Sequence, residues 1–235
     1  MNLRSLVLSA FSRRPVKLSP SDWTYVKFYF GQFGEDAVFM ALWDWKKRTT
    51  GYYVDVGAYH PIDLSNTNIL YRHGWRGLTI DPNPKLSPLF ARHRPEGTHL
   101  TCAVGEKAGE AAYYSFAKAN YNTLVSLDDG RAEPLSREGG AYEKMTVPVR
   151  PLAAILDEHV PASVEIDLLT VDCEGMDAVV LQSSDWKRYR PAFVMVEDAA
   201  PLEDSPTALL LREQGYELAA RVQITKIYKR RAAGD

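Results

Sequence analysis

Two short apolar segments of the sequence each carry an aspartate at or near their end. The first, 52–58, contains Asp55 and Gly57, and the second, 78–81, ends on Asp81. Short apolar runs are typical of buried parallel strands, and ligands of open α/β sheets bind outside the carboxyl ends of such strands. A carboxylate at the end of the second strand can accept hydrogen bonds from both ribose hydroxyls of an adenosine. The two aspartates therefore predict a cofactor that contains a nucleoside.

The turn after the first segment contains one glycine, in the order Gly57-Ala58-Tyr59-His60-Pro61. Dinucleotide cofactors are bound by a G-x-G-x-x-G turn, because the pyrophosphate must lie against bare backbone at a helix N-terminus. The chain has neither that turn nor a phosphate-binding loop with its lysine. S-adenosylmethionine, which has an adenosine and no phosphate, is therefore favoured over NAD, FAD and ATP. A second interpretation stays open, in which Gly57 only permits a tight turn from strand to helix.

Further acids follow two later apolar segments, with Asp172 and Glu174 after one and Glu197 and Asp198 after the other. A carboxylate in a dry cleft is unfavourable unless it is paired or hydrogen-bonded, so this concentration of acids favours a function. Asp172 can contact the methionine moiety of the cofactor, hold the substrate or bind a metal ion. Together with Glu197 and Asp198 it could surround Mg²⁺, which prefers hard oxygen ligands. For Asp198, capping of the following helix is the alternative.

Titration chemistry favours His60 as a general base, since the unperturbed pKa of histidine lies near neutral pH. The alternative is a histidine that is hydrogen-bonded within its own turn, beside a proline. Three tyrosines further along the chain, Tyr113, Tyr114 and Tyr121, could stack on a sugar ring, although core packing is the more common role of any one of them.

An alternation of short apolar runs with longer amphipathic segments must position these residues. It predicts strands at 52–57, 77–81, 99–104, 167–172 and 192–197, with helices at 64–73, 84–93, 151–159, 175–183 and 205–213. One or two further helices are expected between 22 and 48. The last two segments, 216–223 and 225–229, predict a closing hairpin. Right-handed crossovers between parallel strands are expected, which makes the protein α/β.

Residues 1–22 are predicted to form an N-terminal arm, and residues 23–235 a single domain. The segment 111–150 breaks the alternation, because two strand-like runs, 111–116 and 145–149, enclose a long polar stretch. Loops of that length inside a compact domain are usually functional or mobile. We therefore expect this insertion to form part of a substrate lid.

Composition restricts the possible partners. The net charge of −2 at pH 7, with acids and bases interspersed, shows no footprint for a nucleic acid. No apolar run approaches the length of a membrane span, although basic residues around the apolar stretch of the arm allow a weak contact with a membrane surface. Cys102 and Cys173 lie in apolar runs without metal-binding spacing, which indicates reduced thiols in the cytoplasm.

Seven motifs in order make the sequence similar to the FkbM family of S-adenosylmethionine-dependent methyltransferases, over roughly residues 30 to 200. They are Gln32-Phe33-Gly34-Glu35-Asp36, Val54-Asp55-Val56-Gly57-Ala58-Tyr59-His60-Pro61, Ser65-Asn66-Thr67, Gly74-Trp75-Arg76-Gly77, Asp81-Pro82-Asn83-Pro84, Ala103-Val104-Gly105 and Val171-Asp172-Cys173-Glu174-Gly175. The resemblance implies a class I methyltransferase fold, with a mostly parallel seven-stranded sheet that ends in an antiparallel hairpin. It also implies O-methylation, often of sugar hydroxyls in glycans, polysaccharides or glycosylated metabolites.

The resemblance also implies roles for individual residues. Asp55 and Gly57 match the first cofactor motif, Asp81 matches the ribose-binding acid, and Ala103 and Val104 match the segment beside the adenine. Within the same motifs, the remaining cofactor-binding candidates are Gln32, Ala58, Tyr59, Ser65, Asn83 and Asp172. The catalytic candidates are His60, Asp172 and Glu174. Two positions differ from the family pattern: Tyr59 stands where relatives often carry histidine, and Cys173 where they usually carry an aliphatic residue.

The sugar acceptor that the resemblance implies, together with the acids and His60, predicts an in-line displacement in which a sugar hydroxyl attacks the sulfonium methyl group. A carboxylate, a histidine or a metal ion would assist the loss of the hydroxyl proton. Two other classes of protein remain as alternatives. An NAD-dependent or nucleotide-sugar oxidoreductase would use the same sheet, but the missing glycines disfavour it. A non-catalytic methyltransferase-like binding module would not need the acids at the fourth and fifth strands.

Overall fold

The computed structural model describes residues 19–117, 122, 124, 138–203 and 205–232. Most of the predicted N-terminal arm, the central part of the 111–150 insertion and Tyr121 lie outside the described residues. In the described part, no helix is both long and apolar enough to cross a bilayer.

The main sheet has seven strands. They are β1 (Tyr52–Val56), β2 (Arg76–Ile80), β3 (Thr98–Leu100), β7 (Leu168–Val171), β8 (Phe193–Glu197), β9 (Tyr216–Val222) and β10 (Thr225–Arg230). Their order across the sheet is β3-β2-β1-β7-β8-β10-β9. Strands β3, β2, β1, β7 and β8 run parallel, and β10 is antiparallel to both β8 and β9. The predicted class I methyltransferase fold, with its C-terminal antiparallel hairpin, is therefore confirmed.

Both faces of the main sheet are covered by apolar side chains, which is why its strands are continuous apolar runs. On one face Val54, Leu169 and Val194 belong to the larger core cluster. On the other face Tyr53 and Leu168 pack with aromatic residues of a second cluster. The helices are α1 (Glu35–Leu42), α2 (Asn68–Arg72), α3 (Ser87–His93), α4 (Leu152–His159), α5 (Asp177–Gln182) and α6 (Pro206–Glu213), with 3₁₀ turns at Asp22–Thr24 and Pro84–Leu86.

The predicted third strand, 99–104, is two strands in different sheets. Thr98–Leu100 pairs with β2, whereas β4 (Ala103–Val104) pairs with the end of β6 (Tyr142–Arg150). An apolar run marks extended backbone but carries no information about its pairing partner, so the sequence pattern does not show the change of sheet. The second sheet places Ala103 and Val104 beside the ends of the main strands.

The predicted strands of the insertion are present and longer than expected. β5 (Gly109–Phe116) pairs with β6 in an antiparallel register that runs from Gly109 opposite Val149 to Phe116 opposite Tyr142. With β4 they form the three-stranded second sheet in the order β4-β6-β5. The role of the insertion as a lid stays a prediction.

The helix predicted at 64–73 is shorter, and begins at Asn68. The residues before it form a loop that leaves β1 at Gly57, and within this loop Tyr59 and Leu64 have positive φ angles of 49° and 53°. A positive φ interrupts a right-handed helix, so the helix cannot extend back into this loop. The strand order reverses between β1 and β7, and the loop lies at that reversal.

Candidate functional site

A cavity of about 250 Å³ opens at the carboxyl ends of β1, β2, β7 and β8. This is the edge of the sheet where the strand order reverses, as expected for the ligand site of an open α/β sheet. Most of the residues predicted from the sequence line it, namely Gln32, Asp55, Gly57, Ala58, Tyr59, Ser65, Asp81, Ala103, Val104, Asp172, Glu174 and Glu197. His60, Asn83 and Asp198 do not line it.

Asp81 is held at the end of β2 by two backbone donors. Its Oδ2 accepts a hydrogen bond from the N–H of Tyr59 at 2.9 Å, and its Oδ1 accepts one from the N–H of Asn83 at 2.8 Å. Burial raises the pKa of Asp81 to about 7, and the charge of Asp55 adds to the shift while the two N–H groups oppose it. Each oxygen keeps acceptor capacity, so the carboxylate can receive two ligand hydroxyls. Asn83 thus supports the site through its backbone.

Asp55 lies inside β1 and faces the same cavity. It is buried, and its Oδ2 accepts a hydrogen bond from Thr67 Oγ1 at 2.5 Å. Burial raises its pKa above the ordinary value, whereas the hydroxyl of Thr67 and the positive charge of Arg94 lower it. A carboxylate at the end of a strand often accepts hydrogen bonds from backbone N–H groups of the next loop. Among the described residues, Asp55 instead accepts its hydrogen bond from the side chain of Thr67.

Gly57 lets the end of β1 approach the end of β7. Its φ is +78°, and a Cβ at this position would lie 1.7 Å from the backbone oxygen of Asp172. The N–H groups of Gly57 and Ala58 both donate to the carbonyl of Ile80. The tight turn expected from the sequence is therefore present, and the same turn forms part of the cavity wall.

Backbone strain is concentrated around the cavity. Four non-glycine residues have positive φ in the described part of the chain, and three of them, Tyr59, Leu64 and Glu174, line the cavity. The left-handed region is unfavourable by roughly 1–2 kcal/mol for such residues. Strain of this kind is often found at functional sites, where it sets the direction of side chains.

The end of the cavity near β7 and β8 is acidic. Asp172 is hydrogen-bonded to Glu197, and burial together with that neighbour raises the pKa of Asp172 well above its usual range. Glu174, at the exposed rim, has its pKa raised to about 7 by loss of hydration, followed by repulsion from Glu197 and Asp177. Loss of hydration and repulsion between these acids therefore favour the protonated forms of Asp172 and Glu174.

The turn that carries Glu174 is held by Asp177, at the start of α5. The Asp177 carboxylate accepts hydrogen bonds from the N–H groups of Cys173 and Gly175, at 3.0 and 3.2 Å. Because the carboxylate accepts the hydrogen bonds of two N–H groups of the turn that have no backbone acceptor among the described residues, it fixes the position of Glu174 in the turn after β7. Cys173 also lines the cavity, and burial raises the pKa of its thiol well above the ordinary value.

The predicted metal site of Asp172, Glu197 and Asp198 does not form. Asp198 accepts hydrogen bonds from the hydroxyls of Ser205 and Thr207, and its Oδ2 lies 2.9 Å from Nζ of the fully buried Lys226. The described residues contain no group of three histidine, cysteine or acidic side chains that could hold a metal ion. Neighbouring residues of an extended chain point to opposite sides, which separates Asp198 from Glu197.

His60 is engaged in its own turn. Its Nδ1 accepts hydrogen bonds from the N–H groups of Ile62 and Asp63, at 3.1 and 2.9 Å. A neutral histidine whose Nδ1 accepts carries its proton on Nε2, and so has no further lone pair for a substrate proton. Burial lowers the pKa of His60, with the charge of Asp63 opposing this. The structure matches the alternative interpretation of this residue as a turn histidine.

Some residues at or behind the cavity, Glu35 and Arg94 among them, have no role predicted from the sequence, whereas Tyr113 is one of the tyrosines that could stack on a sugar ring. Glu35, at the start of α1, is buried, lines the cavity and accepts a hydrogen bond from the N–H of Phe33 at 2.8 Å. Tyr113 lines the cavity, whereas Tyr114 lies in the core. Arg94 lies behind the wall and is described below. Glu35 lies within one of the family motifs, which is the one sequence feature that indicates a place at the cavity. Arg94 lies outside the motifs, and no sequence feature indicates its role.

The family profile described as methyltransferase FkbM domain matches residues 55–218, well over half of the chain. No curated protein matches the chain. Among solved structures, a TehB-like SAM-dependent methyltransferase from Corynebacterium glutamicum aligns with a TM-score of 0.42 and 12% sequence identity, over 90% of this chain and 93% of that chain.

Proposed function

Because the chain belongs to the FkbM family of methyltransferases, we propose that it is an S-adenosylmethionine-dependent O-methyltransferase. The proposed acceptor is a sugar hydroxyl of a glycan, a polysaccharide or a glycosylated metabolite. The observation that carries the proposal is Asp81, whose two oxygens are fixed by backbone donors in a cavity with no glycine-rich pyrophosphate cradle.

The described residues suit the cofactor along the length of the cavity. Asp81 would accept hydrogen bonds from the two ribose hydroxyls, and the buried Ala103 and Val104 supply an apolar wall for the adenine. In the loop after β1, on another wall of the cavity, the buried Oδ1 of Asn66 has no hydrogen-bond partner in the described residues. An unpaired buried acceptor favours a ligand donor, such as the amino group of the methionine moiety.

S-adenosylmethionine would supply a methyl group that is already activated by its positive sulfur, so the protein mainly has to align the acceptor and exclude water. A sugar hydroxyl is a weak nucleophile and must lose its proton as it is methylated. Glu174, with its pKa raised to about 7, suits a general base near neutral pH. The Asp172–Glu197 pair would accept a hydrogen bond from the acceptor and orient it.

Calorimetric titration with S-adenosylhomocysteine and with NAD⁺ tests the cofactor class. We expect binding of the first and none of the second; binding of NAD⁺ alone would favour an oxidoreductase. Labelled S-adenosylmethionine incubated with a surface-glycan extract of the host then tests the acceptor. Label that remains on the donor in the presence of every sugar fraction would contradict the proposed acceptor.

Glu174→Gln tests the proton acceptor. We expect the rate of methyl transfer to fall by about 10²–10⁴-fold, while the affinity for S-adenosylhomocysteine stays that of the wild type. The wild-type rate should rise with pH through about 7, because Glu174 accepts a proton only when it is ionised. Glu158→Gln, at an exposed carboxylate paired with Arg150, is the matched control. Equal rates for both variants would exclude Glu174 as the base.

The two cysteines, Cys102 and Cys173, are free thiols. Free thiols support the proposal that the enzyme acts in the reducing cytoplasm. Contact of the N-terminal arm with a membrane surface stays a prediction.

A further inference from the structure

A buried guanidinium lies behind the wall of the cavity. Arg94 follows the end of α3 and is 3% exposed. Its Nε and Nη2 donate to the carbonyl of Pro61, Nη2 also donates to Ser65 Oγ at 2.6 Å, and Nη1 donates to Thr67 Oγ1 at 2.8 Å. No carboxylate of the described residues lies within ion-pair distance of it. A buried charge without an ion-pair partner is unfavourable unless hydrogen bonds and nearby charge compensate it.

A single hydroxyl connects Arg94 with Asp55. Thr67 Oγ1 accepts the hydrogen bond from Arg94, and it donates its own proton to Asp55 Oδ2 at 2.5 Å. A hydroxyl has one proton, so the bond from the guanidinium leaves that proton free for the carboxylate. The positive group is therefore linked through one threonine to an acid that faces the cavity.

The same guanidinium holds the loop that forms one wall of the cavity. Its partners Pro61, Ser65 and Thr67 span that loop, and Leu64, Ser65 and Asn66 within it line the cavity. The planar fork of an arginine can hold several oxygens in one fixed arrangement. Arg94 thus determines both the position of the wall and the electrostatic environment of the acid behind it.

We propose that Arg94 is a positioning residue for the cofactor, and that through Thr67 it keeps Asp55 as a carboxylate directed at the positively charged amine of the bound donor. The inference rests on the proposed function, since the ligand is S-adenosylmethionine. Arg94 itself does not contact the ligand, because it lies behind Thr67 and does not line the cavity.

The charged groups around Asp55 support this assignment. Burial raises the pKa of Asp55 above its ordinary value, and Arg94 is the one cation of the described residues whose charge lowers it. Asp81, at the end of β2, and Tyr53, on β1 itself, both have pKa values that the charge of Asp55 raises further. Burial lowers the pKa of His99 to about 4 and also lowers that of His60, and the charge of Arg94 adds to both shifts.

Loss of the positive charge should move the protonation of Asp55 to higher pH. A carboxylate that loses a nearby cation becomes protonated at a higher pH. Because the amine binds only to the ionised carboxylate, its binding is then lost at a higher pH during acidification. On acidification, the affinity for S-adenosylmethionine falls over a pH range that we call the acidic limb. Without the positive charge, we expect the acidic limb to lie about one pH unit higher than in the wild type.

The test measures the dissociation constants of S-adenosylmethionine and S-adenosylhomocysteine between about pH 5.5 and about pH 8.5. The variants are Arg94→Met, Thr67→Val and Thr67→Ser, each checked for folding by circular dichroism. Thr67→Val removes the link while Arg94 stays, so it keeps the test valid if Arg94→Met does not fold. Near the acidic limb we expect about tenfold weaker binding for Thr67→Val. Thr67→Ser, the conservative variant, should recover the wild-type limb.

Arg48→Met is the matched control. Arg48 pairs with Asp167 at 2.6 Å near the start of β7, at the opposite end of the strands from the cavity, so its loss should reduce stability and leave the pH dependence of binding in place. An acidic limb of Thr67→Val identical to that of the wild type would overturn the inference. A wild type that binds neither ligand at any pH would overturn the proposed function, and the inference with it.

Discussion

At the scale of single residues, the cavity holds carboxyl groups away from their ordinary ionisation. The pKa values of Asp81 and Glu174 are raised to about 7, and that of Asp172 is raised well above its usual range, in each case first by burial. A ligand that offers hydroxyl donors or positive charge would stabilise the ionised forms of these acids, and its binding would lower their pKa values. The acids of the cavity are therefore suited to a ligand of that chemistry.

Asp81→Asn should weaken binding of S-adenosylhomocysteine by about 10–100-fold, since the variant loses charge-assisted hydrogen bonds worth about 1.5–3 kcal/mol. Calorimetry measures the change. Asp157→Asn is the control, at a carboxylate paired with Arg188 away from the cavity. Equal affinities of the two variants would contradict a ribose contact at Asp81.

The same substitution should change how stability depends on pH. The pKa of Asp81 is raised to about 7 in the folded protein, from an ordinary value of 3.8, so the folded state binds the proton more strongly. The stability of the ligand-free protein should therefore be greatest below about pH 4 with respect to this group, and decline as the pH rises to about 7. Thermal unfolding should show a flatter pH profile for Asp81→Asn.

At the scale of elements, the site depends on the close approach of the ends of β1 and β7. The two strands are paired in parallel from Tyr53 opposite Leu168 to Val56 opposite Val171. Gly57 continues this approach beyond the strands, because its missing Cβ leaves room for the backbone of Asp172. The distance between the first cofactor motif and the acidic pair is thus set by a single glycine.

Gly57→Ala should destabilise the fold by roughly 2 kcal/mol or more, through a left-handed alanine and a clash with backbone. Binding of S-adenosylhomocysteine should be lost as well. Gly109→Ala, where an added Cβ meets nothing within 4 Å, should change stability by no more than about 0.5 kcal/mol. Urea unfolding measures both, and a stable, ligand-binding Gly57→Ala would refute the steric argument.

The hairpin of β9 and β10 is connected to the loop after β8 by a buried ion pair. Lys226 is fully buried, and its Nζ contacts Asp198 Oδ2 at 2.9 Å and the carbonyl of Ala200 at 2.6 Å. The pKa of Asp198 is lowered by hydrogen bonds from Ser205, Thr207 and Lys226, although burial opposes them. The acid thus stabilises the packing of the hairpin and is neutralised for any role in the cavity.

Lys226→Met should destabilise the protein by about 3–5 kcal/mol, because it leaves a carboxylate without its cation. Addition of Asp198→Asn should recover part of that loss, which urea unfolding of the single and double variants measures. The affinity of the folded variants for S-adenosylhomocysteine should match that of the wild type. Binding that depends on Asp198 and on added Mg²⁺ would instead restore the metal hypothesis.

At the scale of the whole molecule, the reversal of strand order gathers residues from distant parts of the chain. β1 has β2 on one side and β7 on the other, so Asp55 lies between Thr79 and Thr170. The loops that follow these three strands therefore diverge and leave a cleft. Residues from α1, both sheets and the closing hairpin complete it, among them Glu35, Ala103 and Thr225.

A ligand that joins these parts should stabilise the entire domain. At one hundred times its dissociation constant, S-adenosylhomocysteine should add about 2.7 kcal/mol, which raises the unfolding temperature by roughly 2–4 °C per kcal/mol for a chain of this size. Differential scanning fluorimetry measures this, with NAD⁺ as the control ligand. EDTA should leave the shift unchanged, and its disappearance with EDTA would indicate a metal.

The local pattern of the amino-acid sequence by itself determines the positions of the acids on the strands, the class of cofactor that is disfavoured, and the family. Buried parallel strands are apolar runs closed by loops, so the pattern places Asp55, Asp81, Asp172 and Glu197 at or near strand ends, and parallel strands bring such ends to one edge. The absence of further glycines after Gly57 is sufficient to disfavour a pyrophosphate. Motif order and spacing indicate the family, and with it the order of the sheet.

Tertiary structure alone decided which charges meet. Asp198 pairs with Lys226 rather than with Asp172, and Arg94 reaches Thr67 and through it Asp55. Tertiary structure also places residues 98–100 and 103–104 in different sheets, and Nδ1 of His60 accepts a hydrogen bond within its own turn. The physical reason is common to all of these. Periodicity and motifs record the environment of a residue along the chain, whereas the partner of a buried polar group is set by chain segments that only folding brings within hydrogen-bond distance.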